Sequence, residues 1–232
     1  MRLPNLEDVK NGTVLLVDKP LTWTSFDVIN KIRKQVHTKI GHAGTLDPLA
    51  SGLLICCTGK KTKEITSYQK QDKEYTGIIQ IGSQTPTFDL ESAPVQFVSF
   101  DHISQQDVDQ ALPAFTGEIR QVPPIHSAIK KDGKPAYKLA RKGLEVKLEP
   151  RIITIHSFEA ALKEEGEIHF TIQCSTGTYI RSIAHDLGQA LGTGGYLKAL
   201  RRTRIGDFDV NDALPVKTWV EHFQKLNGQE PG

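Results

Sequence analysis

Three stretches of the 232-residue chain hold residue types suited to covalent, acid–base or anion-binding chemistry. The first is GHAGTLDPLASG, residues 41–52, which sets Asp47 in a loop with glycines on both sides and Pro48 directly after it. Glycines let backbone approach a ligand closely, and a following proline restricts Asp47 to extended angles. A carboxylate mounted this way can act as nucleophile or base, or it can simply close an Asp-Pro turn. The second is Lys73-Glu74-Tyr75-Thr76-Gly77, with Tyr75 on a strand alongside Ile78, Ile79 and Ile81. Its phenol is either a proton-transfer group or the satisfied hydroxyl of a core tyrosine. The third is CSTGTYIRSIAHDLG, residues 174–188, where a strand turns through glycine into a helix with Tyr179 and Arg181 in its first turn. A helix N-terminus favours acids. An arginine there indicates a buried acidic partner or a phosphate, unless it projects into solvent.

Other familiar chemistries fail on spacing. GLLICCTGKKT places six residues between Gly52 and Gly59, and Lys61 breaks the Gly-Lys-Ser/Thr of a phosphate loop. No Gly-x-Gly-x-x-Gly, Gly-x-Ser-x-Gly or His-Glu-x-x-His is present, and the eight histidines are scattered. No metal and no cofactor are expected.

These residues need elements to hold them. Thr13–Val17 reads as a buried strand ended by the turn Asp18-Lys19-Pro20. Thr24 or Ser25 then caps a helix to about Val36, with Phe26, Val28, Ile29 and Ile32 on its apolar side. Residues 37–51 read as a polar loop, Leu53–Cys57 and Lys73–Gly82 as strands, and Thr85–Pro94 as a loop. Ser104 caps a helix ending near Phe115, and residues 117–135 mix short strands and turns. Ala136–Lys142 reads as a helix with Gly143 after it. Ile152–Leu162 and Glu167–Cys174 pair around Lys163–Gly166, Tyr179–Leu191 is a helix, and Lys217–Leu226 is the last one before a frayed tail. Strands and helices do not alternate strictly, so the expected class is α+β with a mixed, largely antiparallel central sheet flanked by helices. With no repeat or linker, one domain over 1–232 is the simplest organisation.

Composition is ordinary, with 38% apolar and 24% charged residues, which excludes disorder and fibrous classes for the whole chain. No run of 18 apolar residues exists, so no membrane span is expected. The first ten residues lack the apolar segment of a secretory signal. Three cysteines without Cys-x-x-Cys fit a reducing cytoplasm. The net charge of +2 hides local excess. Residues 130–147 hold seven bases and two acids, and 198–204 hold four bases and no acid. Either they line a surface for a polyanion or they are solvated charge.

Taken in order, VLLVDKP, GHAGTLDPLASGLL, KEYTGIIQIG with TPTFD, PPIHSAIKKDGKPAYKLARKG, and CSTGTYIRSIAHDLG with LRRTRIG resemble the TruB family of tRNA pseudouridine synthases. The resemblance covers about residues 12–206. It implies the pseudouridine synthase fold and conversion of uridine to pseudouridine at position 55 in the T loop of tRNA. It assigns catalysis to Asp47, Tyr75 and Arg181, with Arg181 pairing the aspartate. It assigns nucleotide contacts to His42, Tyr179 and Leu200, and more weakly to Lys19 in the Asp-Lys-Pro motif. Lys130, Lys131, Lys134, Arg141, Lys142, Arg201, Arg202 and Arg204 are the candidates for the RNA backbone. Bacterial relatives commonly continue into a C-terminal PUA domain, and too few residues follow the last motif here for a full one. The expected species is a cytoplasmic monomer that binds the tRNA T arm and needs no protein partner.

The residue types suit that reaction. The C1′–N1 bond breaks, the uracil rotates, and C5 takes the place of N1. An ionised aspartate can attack covalently or assist a glycal route. An adjacent arginine keeps a buried carboxylate charged. Flipping the base out costs a few kcal/mol, and stacking returns about 1–3 kcal/mol per base. Rival readings are a tRNA-binding or folding module without catalysis, a synthase of this fold acting on another RNA, and a glycosidase using Glu74 or Asp89 as second acid.

Overall fold

The computed structural model describes residues 3–125 and 148–229, and the backbone of 130–131 and 134–135. In chain order the first elements are α1 (Leu6–Asn11), β1 (Val14–Lys19), α2 (Ser25–Val36), β2 (Ile40–Ala43), β3 (Ala50–Thr58) and α3 (Ile65–Lys70). Next come β4 (Lys73–Ile81), α4 (Gln105–Ala111), β5 (Gly117–Gln121), β6 (Lys130–Lys131), β7 (Lys134–Pro135), β8 (Arg151–Leu162) and β9 (Glu167–Cys174). The last are α5 (Ile180–Ala190), β10 (Gly195–Ile205), β11 (Phe208–Asp209), β12 (Leu214–Pro215) and α6 (Val216–Leu226). The chain divides into two compact units, residues 1–75 with 200–232, and residues 76–199.

In the first unit the strands run in the order β12-β1-β3-β10, with β2 also on β3 and β11 on β10. β1 and β2 lie antiparallel to β3, whereas β10 is parallel to β3 and β12 parallel to β1. Alternation explains why β1 and β3 read as unbroken apolar runs: both faces are covered. Leu15, Val17, Leu54 and Cys56 pack with Val28, Ile32, Trp219 and Phe223 of the helices, while Leu16, Leu53, Ile55 and Cys57 pack with Ile205 and Val210. Trp219 fits this core because its Nε1–H donates to Leu16 O at 3.0 Å. Helix α2 starts as its sequence predicts: Thr24 Oγ1 accepts from Asp27 N, and the Asp27 carboxylate accepts from Thr24 N.

In the second unit the order is β10-β4-β9-β8-β5, with β8 antiparallel to both neighbours. Gly77 interrupts β4 for a steric reason: a Cβ there would lie 2.3 Å from Ala199 O and 2.6 Å from the Phe170 ring. The β8–β9 hairpin and the Ser104 cap of α4 match the sequence reading. The sheet is mixed and largely antiparallel, as expected.

Two expectations need correction. Residues 37–51 are not all loop, because β2 forms and pairs with β3. Phe26 does not join the apolar side of α2 and is 60% exposed. The basic run 198–204, to which the sequence reading gave no element, lies within the eleven-residue strand β10. The expected helix 136–142 lies outside the described residues. Among the described residues no helix is long and apolar enough to cross a membrane.

Candidate active site

Asp47 sits in the loop between β2 and β3, and the backbone on both sides of it is tied down. Ser25, at the first position of α2 and 2% exposed, accepts from Leu46 N at 2.9 Å and donates to Leu46 O at 3.2 Å. Thr22 N donates to Pro48 O at 2.8 Å, and Ala50 N to Asp47 O at 3.1 Å. The turn ahead of α2 and its first residue therefore fix the two neighbours of the aspartate.

Two buried cations lie beside the same loop. Gly52 of β3 stands in register with Lys19 of β1 and with Arg202 of β10. It must be glycine: its φ is 104°, and a Cβ would lie 2.3 Å from Arg202 O. Arg202 donates from Nε to Leu53 O at 2.8 Å and from Nη2 to Gly44 O at 3.1 Å. Lys19 Nζ donates to Pro20 O at 2.9 Å, Trp23 O at 2.6 Å and Pro48 O at 3.5 Å. Burial pushes the Lys19 pKa down to about 8. Asp47 opposes this shift, and Arg202 adds to it.

These observations bear on two expectations. Lys19 has no exposed surface, and its ammonium donates to backbone carbonyls, Pro48 O among them. Arg202 is 1% exposed, and its guanidinium donates to Gly44 O and Leu53 O. Arg201 forms a forked pair with Asp18, at 3.0 and 2.8 Å. Arg204 is exposed. Side chains at 130, 131 and 134, with Arg141 and Lys142, lie outside the described residues.

The other first-unit candidates lie on neighbouring strands. His42 is on β2 opposite Cys56. Burial lowers the pKa of its imidazole, the Gly44 backbone opposes the shift, and Arg202 adds to it. Leu200 is half-buried on β10 opposite Ala50, three residues beyond Asp47. Tyr75 is buried on β4.

In the second unit, Arg181 is 5% exposed at the start of α5, so the solvent-facing alternative falls. One acidic partner is Asp89, itself 4% exposed, with Nε 3.6 Å from Oδ2. Arg181 Nη1 also donates to Thr87 O at 3.2 Å, and Asp89 Oδ1 accepts from Glu91 N at 3.0 Å. Glu74 accepts from Thr203 Oγ1 at 2.7 Å.

Tyr179 caps α5 without a side-chain cap bond. Gln121 on β5 instead holds the backbone of Tyr179: Tyr179 N donates to Gln121 Oε1 at 2.8 Å, and Gln121 Nε2 donates to Tyr179 O at 3.0 Å. The Arg151 guanidinium lies 5.8 Å from the centre of the Tyr179 ring. Sequence reasoning missed Gln121 because 58 residues separate it from Tyr179. It missed the Asp89–Arg181 pair because the two residues lie far apart in the sequence.

Comparison with known proteins follows the same lines. A family model described as TruB family pseudouridylate synthase (N terminal domain) matches residues 31–180. A second, described as tRNA pseudouridylate synthase B C-terminal domain, matches residues 181–226. The chain is 48% identical over 226 residues to a protein named tRNA pseudouridine synthase B from Flavobacterium johnsoniae, covering 94% of this chain and 99% of the relative. It is 46% identical over 222 residues to a protein of the same name from Chlorobaculum tepidum, covering 93% and 92%. Among solved structures, a chain from the crystal structure of a Cbf5-Nop10-Gar1 complex is similar at 28% identity with a TM-score of 0.75. That match covers 98% of this chain and 60% of the other, so this chain spans about three fifths of that protein's length. The first model alone covers more than half of the sequence, and relatives at this identity match it nearly end to end: the chain belongs to the TruB family of pseudouridylate synthases.

Proposed function

We propose that the chain isomerises uridine to pseudouridine at position 55 in the T loop of tRNA, as a monomer with one catalytic domain in a reducing cytoplasm. The carrying observation is the Asp47 loop. It presents one carboxylate from backbone fixed by Ser25, Thr22, Lys19 and Arg202, in a chain close to proteins named tRNA pseudouridine synthase B. Preorganised charge of this kind stabilises a transition state without reorganisation at the moment of reaction. Cys56, Cys57 and Cys174 are all buried, which supports a reducing compartment.

In this reading the target uridine is flipped from the T loop, at a cost of a few kcal/mol. Asp47 acts as nucleophile or assists a glycal route while the C1′–N1 bond breaks. The uracil turns, C1′ bonds to C5, C5 loses its proton, and N1 gains one. Tyr75 offers a ring face and a phenol for that proton transfer. His42, Tyr179 and Leu200 contact the flipped nucleotide or its neighbours. Arg181 serves the same reaction with a guanidinium that Asp89 and the Thr87 carbonyl already hold. The solved structure of an H/ACA RNP bound to a substrate RNA is similar to this chain at 27% identity and a TM-score of 0.70, which supports an RNA substrate here.

The test is incubation with an unmodified tRNA transcript, followed by carbodiimide treatment and primer extension. One stop in the T loop is expected. It disappears with Asp47→Asn, which keeps the side-chain shape, removes the charge and retains tRNA binding. Near-normal turnover by that variant refutes the role of Asp47. No stop with bound RNA refutes the substrate.

A further inference from the structure

Helix α5 grips the loop that carries Thr87, Phe88 and Asp89 at two consecutive turns. Arg181 holds the residues on either side of Phe88, donating to Thr87 O at 3.2 Å and facing Asp89 Oδ2 at 3.6 Å. His185, four residues further along, lies on the same face of the helix. Its ring stacks on Phe88 with centroids 3.9 Å apart and planes 13° from parallel. Phe88 has φ 64°, a left-handed conformation that a bulky aromatic residue adopts only when its surroundings impose it. The backbone contributes too: Phe88 O accepts from Leu197 N at 2.9 Å, and Phe88 N donates to Thr85 O at 3.2 Å. Nδ1 of His185 is buried and has no hydrogen-bond partner among the described residues.

We propose that His185 is a positioning residue for pseudouridine formation, stacking on Phe88 so that Asp89 and the Thr87 carbonyl keep Arg181 in its working orientation. The proposal rests on the reading that Arg181 serves the reaction. Without the stack, Phe88 relaxes toward negative φ, and the residues on either side of it turn away from the guanidinium. Flatness and bulk matter here, not the imidazole's protons, so a phenyl ring replaces histidine and an aliphatic chain does not.

The experiment compares His185→Ala, His185→Leu and His185→Phe with the unaltered chain. It measures the single-turnover rate on unmodified tRNA transcript, tRNA affinity, and the NMR resonance of Arg181 Nε–H. The expected result is a rate loss of roughly ten- to a hundredfold for His185→Ala and His185→Leu, with affinity retained. His185→Phe restores the rate. The Nε–H resonance moves in the first two variants and returns in the third. Should His185→Ala not fold, the Leu and Phe variants carry the comparison by themselves. Equal rates for those two overturn the proposal, as does an unaltered rate in His185→Ala. An unaltered chain inactive on RNA removes the reading of function and leaves the stack to the resonance, where an unmoved Nε–H overturns it.

Discussion

A lysine with no exposed surface holds its ammonium against the cost of desolvation. For Lys19 three backbone carbonyls and the nearby Asp47 offset part of that cost, and the pKa settles at about 8. The sign of the consequence follows from linkage. In the unfolded chain a lysine titrates near 10.4. Between the two values the unfolded state binds the extra proton, so folding stability rises as pH climbs through the folded value. The burial penalty is present in full at neutral pH and is relieved by pH 10.5 or so, by an amount on the order of 3 kcal/mol. Lys19→Met removes the titrating group. Urea denaturation at roughly pH 7.5 and roughly pH 10 should show the stability of the unaltered chain growing relative to Lys19→Met by about that amount. A difference that stays constant between the two pH values would show that Lys19 keeps an ordinary pKa.

At the level of elements, legibility followed the range of the interaction. Signals carried within a few residues were readable: the Thr24 and Ser104 caps three residues from Asp27 and Asp107, the β8–β9 hairpin, and the start of α5 after Gly177. Asp47 was legible as a loop carboxylate for the same reason. Strand β2 was not, because Gly41, His42 and Ala43 after Ile40 carry no strand signal and β2 shows itself only by pairing with β3. Gln121 illustrates the limit best, since nothing near it in sequence hints that β5 will deliver it to Tyr179. It is 1% exposed and clamps the backbone N–H and C=O of Tyr179, the residue that enters α5. Gln121→Ala strands a Tyr179 amide and should cost about 1–3 kcal/mol in denaturant unfolding. Gln121→Glu also destabilises, because its carboxylate still accepts from Tyr179 N but faces Tyr179 O without a proton to donate. If Gln121→Glu is as stable as the unaltered chain, only the accepting bond holds the helix entry.

For the whole molecule the question is which of its charges act on an RNA. Counting along the sequence left 198–204 as either a polyanion surface or solvated charge, with Arg201, Arg202 and Arg204 as backbone candidates. Strand β10 distributes those charges otherwise. Arg202 is enclosed by Leu53 and Gly44, and Arg201 is forked onto Asp18. Arg204 remains exposed. A phosphate contact releases condensed counterions, so each one adds about 0.7–0.9 to the slope of log affinity against log salt. A buried cation whose hydrogen bonds end on backbone carbonyls releases none. Tested on tRNA by salt titration, Arg204→Gln should weaken binding and flatten the slope by about one unit. Arg202→Gln should leave the slope unchanged and lower stability instead, by about 1–3 kcal/mol for the carbonyls it abandons. Its pseudouridylation rate should fall with the Asp47 loop that Gly44 begins. Should Arg202→Gln flatten the slope while keeping full stability, its guanidinium faces the RNA, and the burial seen here does not hold in the complex.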